Sequence, residues 1–341
     1  MPTWPHPWLY EAMGDNRRLV LVIVAVTALL AVIDTLWLPL STVSLDPGNV
    51  GHLAKAGLGF LSAYLIGKFV LYRLRNDTGR GAGVLRRGAK GLITLVPILA
   101  MFMALGFVGA IFTYLASATD RPLIDGQLAA IDAALGFHWP SFLEAASASP
   151  VFANALVIAY HSLAPQFIGL LLVYCAAQRA DRALEFVALL AVSFMITAGL
   201  MALFPTSGAY AYFRPIPEAF EAFTAKAGMW HYSDLLRLRS GEPFSLLVSK
   251  AEGLVTFPSY HTVVAIMIVY SLRIVPIAAG SAALLNALMI VGTLPEGGHH
   301  LTDVIMGVMV ALVSILAVRA VVDRQGNKAS LEPATISTEV C

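Results

Sequence analysis

Apolar residues run in long blocks separated by short charged or Gly/Pro punctuation, and eight blocks approach the roughly 20 residues needed to cross a bilayer core. They fall at about 19–40, 53–72, 92–117, 151–177, 183–204, 261–279, 281–296 and 303–322. The pattern predicts an all-α membrane protein, a polytopic bundle of about eight transmembrane helices. Two segments between spans are too long for simple turns. In the first, around 118–150, Ile124, Leu128, Ile131 and Leu135 recur at helical spacing while Asp125 and Asp132 sit off that stripe, which predicts an amphipathic helix lying in the interface near 122–137. The second, around 205–260, mixes aromatic, charged and Gly/Pro residues and reads as a long functional loop.

Composition agrees with that pattern and adds an orientation. Of 341 residues, 58% are apolar and 13% charged, about half the charged share of a soluble domain. The 22 Lys and Arg against 21 Asp and Glu leave a formal charge of +1, which argues against a nucleic-acid partner. Basic residues concentrate between spans two and three, where Arg73, Arg75, Arg80, Arg86, Arg87 and Lys90 face one acid, Asp77. Because Lys and Arg favour cytoplasmic loops, both termini are expected in the cytoplasm and the two long segments on the opposite, periplasmic or lumenal, face of a plasma (inner) membrane. Residues 1–91 read as a two-span extension with its basic cytoplasmic loop, 92–322 as a six-span catalytic core, and 323–341 as a disordered cytoplasmic tail. Trp4, His6, Trp8 and Glu11 ahead of Arg17 and Arg18 predict an interfacial lead-in and not a cleavable signal peptide. Asp34 and Lys55, near the outer ends of adjoining spans, are expected to pair. The two cysteines, Cys175 and Cys341, form no spaced cluster and imply neither a disulfide framework nor a thiolate site.

Chemistry gathers at two span entries. Phe257-Pro258-Ser259-Tyr260-His261-Thr262 opens span six and Gly297-Gly298-His299-His300-Leu301-Thr302-Asp303 opens span eight, so two helix starts meet one aqueous boundary. A helix N-terminus favours an anion through its unpaired N–H groups and dipole. Ser259 can cap the helix or donate to a ligand oxygen, and Gly297 and Gly298 leave room for a ligand at the backbone. His299 and Asp303, four positions apart, share a helical face; the carboxylate can fix one imidazole nitrogen so that the other keeps its lone pair outward, as a nucleophile requires. His261 from the other stretch can protonate a leaving alkoxide. His300 points away, and His6, His52, His138, His161 and His231 read as structural, with Tyr160-His161 able to line a lipid cavity.

The motif pair Pro258-Ser259-Tyr260-His261 and His299 to Asp303 resembles the type-two phosphatidic acid phosphatase superfamily. Their surroundings, with Leu135-Gly136-Phe137-His138-Trp139-Pro140, look most like the branch containing inositol phosphorylceramide synthase. The resemblance covers residues 92–322. It implies a metal-independent lipid phosphatase or phosphotransferase without cofactor, in which His299 takes up the phosphoryl group, Asp303 orients it and His261 is the acid. The partners implied are a lipid phosphate substrate and a polyol or lipid alcohol acceptor. Two superfamily features are absent: Gly292 and Thr293 stand where Ser-Arg is usual, and Ser207 where a lysine precedes Arg214-Pro215. Phosphate binding is therefore expected from Arg239, Ser259, Lys250, Arg214 and Gly298. A polyprenyl pyrophosphate or lipid phosphate phosphatase, a metal site of Glu296, His299, His300 and Asp303, and a proton-coupled transporter are the alternative readings.

Overall fold

The computed structural model describes residues 16–224 and 226–329. The expected lead-in before residue 16 and the end of the expected tail, from 330 on, lie outside the described residues. The helices are α1 (Arg17–Trp37), α2 (Gly48–Arg73), α3 (Arg80–Ser117), α4 (Asp125–Ala134), α5 (Trp139–Ser147), α6 (Pro150–His161), α7 (Leu163–Ala176), α8 (Ala180–Leu203), α9 (Ala209–Phe213), α10 (Lys226–Arg239), α11 (Tyr260–Ser271), α12 (Pro276–Gly292) and α13 (Leu301–Ala329). Strands β1 (Val43–Leu45) and β2 (Phe244–Leu246) pair in parallel.

Helix α8 forms the axis. It is buried on every side from Ala183 to Ala191 and packs against α1, α3, α7, α11 and α13, as a helix apolar all round must be. Helices α11 and α12 form the expected antiparallel pair, and α13 packs on α11. Between α11 and α13 the backbones approach closely: a Cβ on Gly307 would lie 2.7 Å from the carbonyl oxygen of Ser259. Small residues at such crossings give the close van der Waals contact that holds helices together in lipid.

Among the described residues five helices, α1 (with the turn after it), α2, α3, α8 and α13, are long and apolar enough to cross a membrane, or up to six spans if α5 and α6, bent by 110°, count as one. The expected eight differ in three places. The block 151–177 is interrupted at Ser162, giving α6 and α7. The turn expected near 280 comes at 272–276, where Arg273 donates to the buried Glu185 at 2.6 Å and Pro276 starts α12. With 12 residues and a rise of about 1.5 Å each, α11 spans only about 18 Å. Most of the expected basic loop is helical too, because α3 starts at Arg80 and continues through Pro97. Likewise α13 extends past residue 322 to Ala329.

Two expectations about polar residues are corrected. Lys55 is exposed, and the buried Asp34 carboxylate has no hydrogen-bond partner among the described residues, so the two do not pair. Helix α4 is turned around relative to the interfacial reading. Asp125 and Asp132 are 3% and 2% exposed, whereas Ile131 and Leu135 are 47% and 58% exposed. Its carboxylates satisfy backbone donors of the protein, and part of its apolar stripe faces outward.

Candidate active site

The loop between α12 and α13, residues 293–300, carries the second motif, and Thr256 to Ser259 lead into α11 with the first. These two stretches are tied together by the Ser259 N–H donating to the Asp303 carbonyl at 3.0 Å. His299 and His261 both line one cavity of about 640 Å³. Its other walls come from Gly106, Gly109 and Ala110 of α3, Phe194 of α8, the segment 251–256, and the histidines His161 and His231. Among the described lining residues there are four imidazoles and neither lysine nor arginine.

His299 is held at Nδ1. That nitrogen lies 2.7 Å from the Thr256 carbonyl and 3.3 Å from Asp303 Oδ2. A carbonyl can only accept, so Nδ1 carries the proton and Nε2 keeps its lone pair. The closer orienter is thus a backbone oxygen, with the carboxylate beside it; Asp303 also accepts from the His300 N–H at 2.8 Å. His261 stacks on Tyr160, centroids 4.3 Å apart and planes at 15°. A Cβ on Gly297 would lie 2.9 Å from Tyr160 Cε2 and 3.1 Å from His299 Cδ2, so the missing side chain lets the two rings close on each other.

The other expected phosphate ligands are placed elsewhere. Ser259 is fully buried, and its Oγ accepts from Thr262 Oγ1 at 3.1 Å. Gly298, at φ +67°, packs against Tyr210 and Gly228 and gives its carbonyl to the Ala209 N–H at 2.7 Å. Arg239 donates to the carbonyls of Thr119 and Arg121 at 3.0 and 2.6 Å, and with Arg214 lines a separate cavity of about 340 Å³. Arg214 also borders a third cavity of about 640 Å³ with Tyr210, Phe220 and Trp230. Lys250 is exposed on a short 3-10 turn whose Val248 faces the histidine cavity. Ser207, at the usual lysine position, gives its N–H to Asp125 and its carbonyl to His231 Nε2 at 3.0 Å. Burial holds His231 below the ordinary imidazole range.

His300 has a different task. It is fully buried between the carboxylates of α4, with Nε2 3.6 Å from Asp125 and Nδ1 3.6 Å from Asp132. Burial opposes its charge, but Asp125, Asp132 and Asp303 outweigh that and push it up to about 9. Asp132 also accepts the N–H groups of Leu301 and Thr302, each at 2.9 Å, and so caps α13. Although burial raises it, those donors and His300 hold Asp132 below the usual carboxylate value. The clamp fixes the loop whose next residue back is His299.

Sequence reasoning missed one pair. His161 Nε2 donates to Glu296 Oε1 at 2.9 Å, and Glu296, fully buried, also accepts from the Thr224 N–H at 3.0 Å and from its hydroxyl. Glu296 lies three residues before His299, and a carboxylate beside a Gly-Gly-His run was the available signal. Among the described residues no group of three or more His, Cys, Asp and Glu is placed to hold a metal ion.

A helical membrane protein that brings imidazoles from two helix starts into one cavity is the class these features define. A family model described as the PAP2 superfamily matches residues 126–317, more than half the chain, and the chain belongs to that superfamily. No curated protein and no solved structure matches it. Membership points to phosphatase or phosphotransferase activity.

Proposed function

We propose that the protein is a lipid phosphoester transferase working through a phosphohistidine, with its site on the non-cytoplasmic face. The observation that carries this is His299, pinned at Nδ1 by Thr256 and Asp303 and lining the same cavity as His261. His299 Nε2 attacks phosphorus, the bond to the leaving oxygen breaks, and His261 supplies that oxygen's proton. The bound phosphate provides the counter-charge that a protonated His261 needs. Glycines and alanine of α3 make the apolar wall along which acyl chains lie. The lining suits a phosphodiester with one negative charge better than a monoester with two, because imidazoles and backbone must meet that charge with neither lysine nor arginine among the described lining residues. This favours transfer of a phospho-head-group, inositol phosphate-like, over hydrolysis.

The test uses purified protein with ³²P-labelled phosphatidylinositol or phosphatidic acid, with and without a lipid alcohol or free inositol as acceptor. Turnover that survives chelator, is blocked by vanadate and vanishes in His299→Ala is expected, with Asp303→Asn slower by about 10²–10⁴-fold. Full activity in His299→Ala would end the mechanism.

A further inference from the structure

Four imidazoles share the cavity, and the mechanism so far uses two. Each is held differently. His299 is fixed by a carbonyl and a carboxylate, His231 by the Ser207 carbonyl, and His261 is stacked on Tyr160. His161 alone among the other three is backed by a carboxylate. Glu296 is fully buried while the His161 side chain is 48% exposed, at the last residue of α6 before the interruption at Ser162. Because Nε2–H donates to Glu296, the neutral ring keeps its lone pair on Nδ1.

An imidazole whose second nitrogen is hydrogen-bonded to a carboxylate is well suited to pick up a proton, since the carboxylate stabilises the resulting imidazolium. His261 has no such partner among the described residues, which suits a group that gives its proton up. Tyr160 stacks on His261 and meets its neighbour His161 edge-on with centroids 5.3 Å apart, so one phenol ring touches both imidazoles, and all three line the same cavity.

We infer that His161 is the base for the acceptor hydroxyl in the second half of the reaction, an inference that rests on the phosphohistidine reading above. The acceptor oxygen bonds to phosphorus, the P–N bond to His299 breaks with its electron pair returning to Nε2, and the hydroxyl proton passes to His161 Nδ1. Glu296 is the positioning residue, and it binds His161 from the same loop that carries the nucleophile.

Single-turnover quench experiments on the full chain with ³²P-labelled phosphatidylinositol separate the two halves. In His161→Gln, whose amide can still donate to Glu296, labelled protein is expected to form at the wild-type rate and to decay about a hundredfold more slowly, so label accumulates. The decay rate should also lose the acidic limb of its pH profile. Glu296→Gln should slow decay in the same sense. Equal loss of formation and decay in His161→Gln, or unchanged decay, would overturn the assignment. Decay slowed only in His261→Ala would assign both proton transfers to His261 and also overturn it. If the wild-type chain acquires no label at all, it is the phosphohistidine reading that fails.

Discussion

Replacing Asp132 with Asn probes the clamp between α4 and the nucleophile loop. His300 is raised from an ordinary value of 6.5 to about 9 in the fold. A raised imidazole contributes stability that is fully present below its unfolded pKa and is lost as pH climbs through the folded one. At about 1.4 kcal/mol per unit, that is about 3 kcal/mol in the wild type, retained near pH 7 and gone above pH 9. Asp132→Asn removes one of the two carboxylates at 3.6 Å from the ring and replaces a charge-assisted acceptor for two N–H groups with a neutral one. The cost of such a change is about 1–3 kcal/mol near neutral pH. The His300 pKa falls with it, so the alkaline loss of stability moves from around pH 9 toward pH 7. The assay is the thermal inactivation half-life in detergent, read from pH 5 to 10, a rate being the proper measure where unfolding is irreversible. Wild-type and Asn curves that are parallel across this window would refute the assignment of the clamp to a charged His300.

Two further outcomes follow from the geometry. A Cβ on Gly106 meets nothing within 4 Å, so Gly106→Leu should fold normally yet fill the apolar wall, raising KM for long-chain lipids about tenfold while sparing short-chain analogues; equal effects on both chain lengths would exclude this wall as the acyl site. Arg239→Gln, which loses charged donors to the Thr119 and Arg121 carbonyls, should cost about 2–4 kcal/mol of stability and leave KM unchanged; a raised KM at unaltered thermal stability would restore Arg239 as a phosphate ligand.

The sequence made the site partly legible because its chemistry is local in the chain. His299 and Asp303 are one helical turn apart, and the residues of the first motif are contiguous, so type and spacing suffice to mark them. What was hidden depends on partners far away in the chain. The closest orienter of His299 is the carbonyl of Thr256, 43 positions earlier, and a backbone oxygen leaves no trace in residue identity. His161 and Glu296 are 135 positions apart and neither is distinctive alone. The facing of α4 differs from the expectation because hydrophobic periodicity marks which residues share a face, while the N–H groups of Ser207, Gly208, Leu301 and Thr302, the Thr302 hydroxyl and the His300 imidazole that meet Asp125 and Asp132 come from other segments. Where the apolar blocks break is hidden for a similar reason. Hydropathy does not show that the block 151–177 breaks at Ser162 or that α11, enclosed by the bundle, stops after 12 residues, whereas α12 keeps Ile277 and Leu284 86% and 70% exposed.

The short parallel pairing of β1 with β2 reaches beyond the region shared with the superfamily. The Phe244 N–H donates to the Thr42 carbonyl at 3.0 Å, the Leu246 carbonyl accepts from the Asp46 N–H at 2.9 Å and the Asn49 amide at 2.8 Å, and the Asn49 amide oxygen accepts from the Val248 N–H at 2.9 Å. Residue 248 already lines the histidine cavity. A fragment trimmed to the matched boundaries would therefore expose a bare strand edge next to the reaction chamber, and the first two helices are better regarded as the mooring of its outer wall than as a detachable anchor.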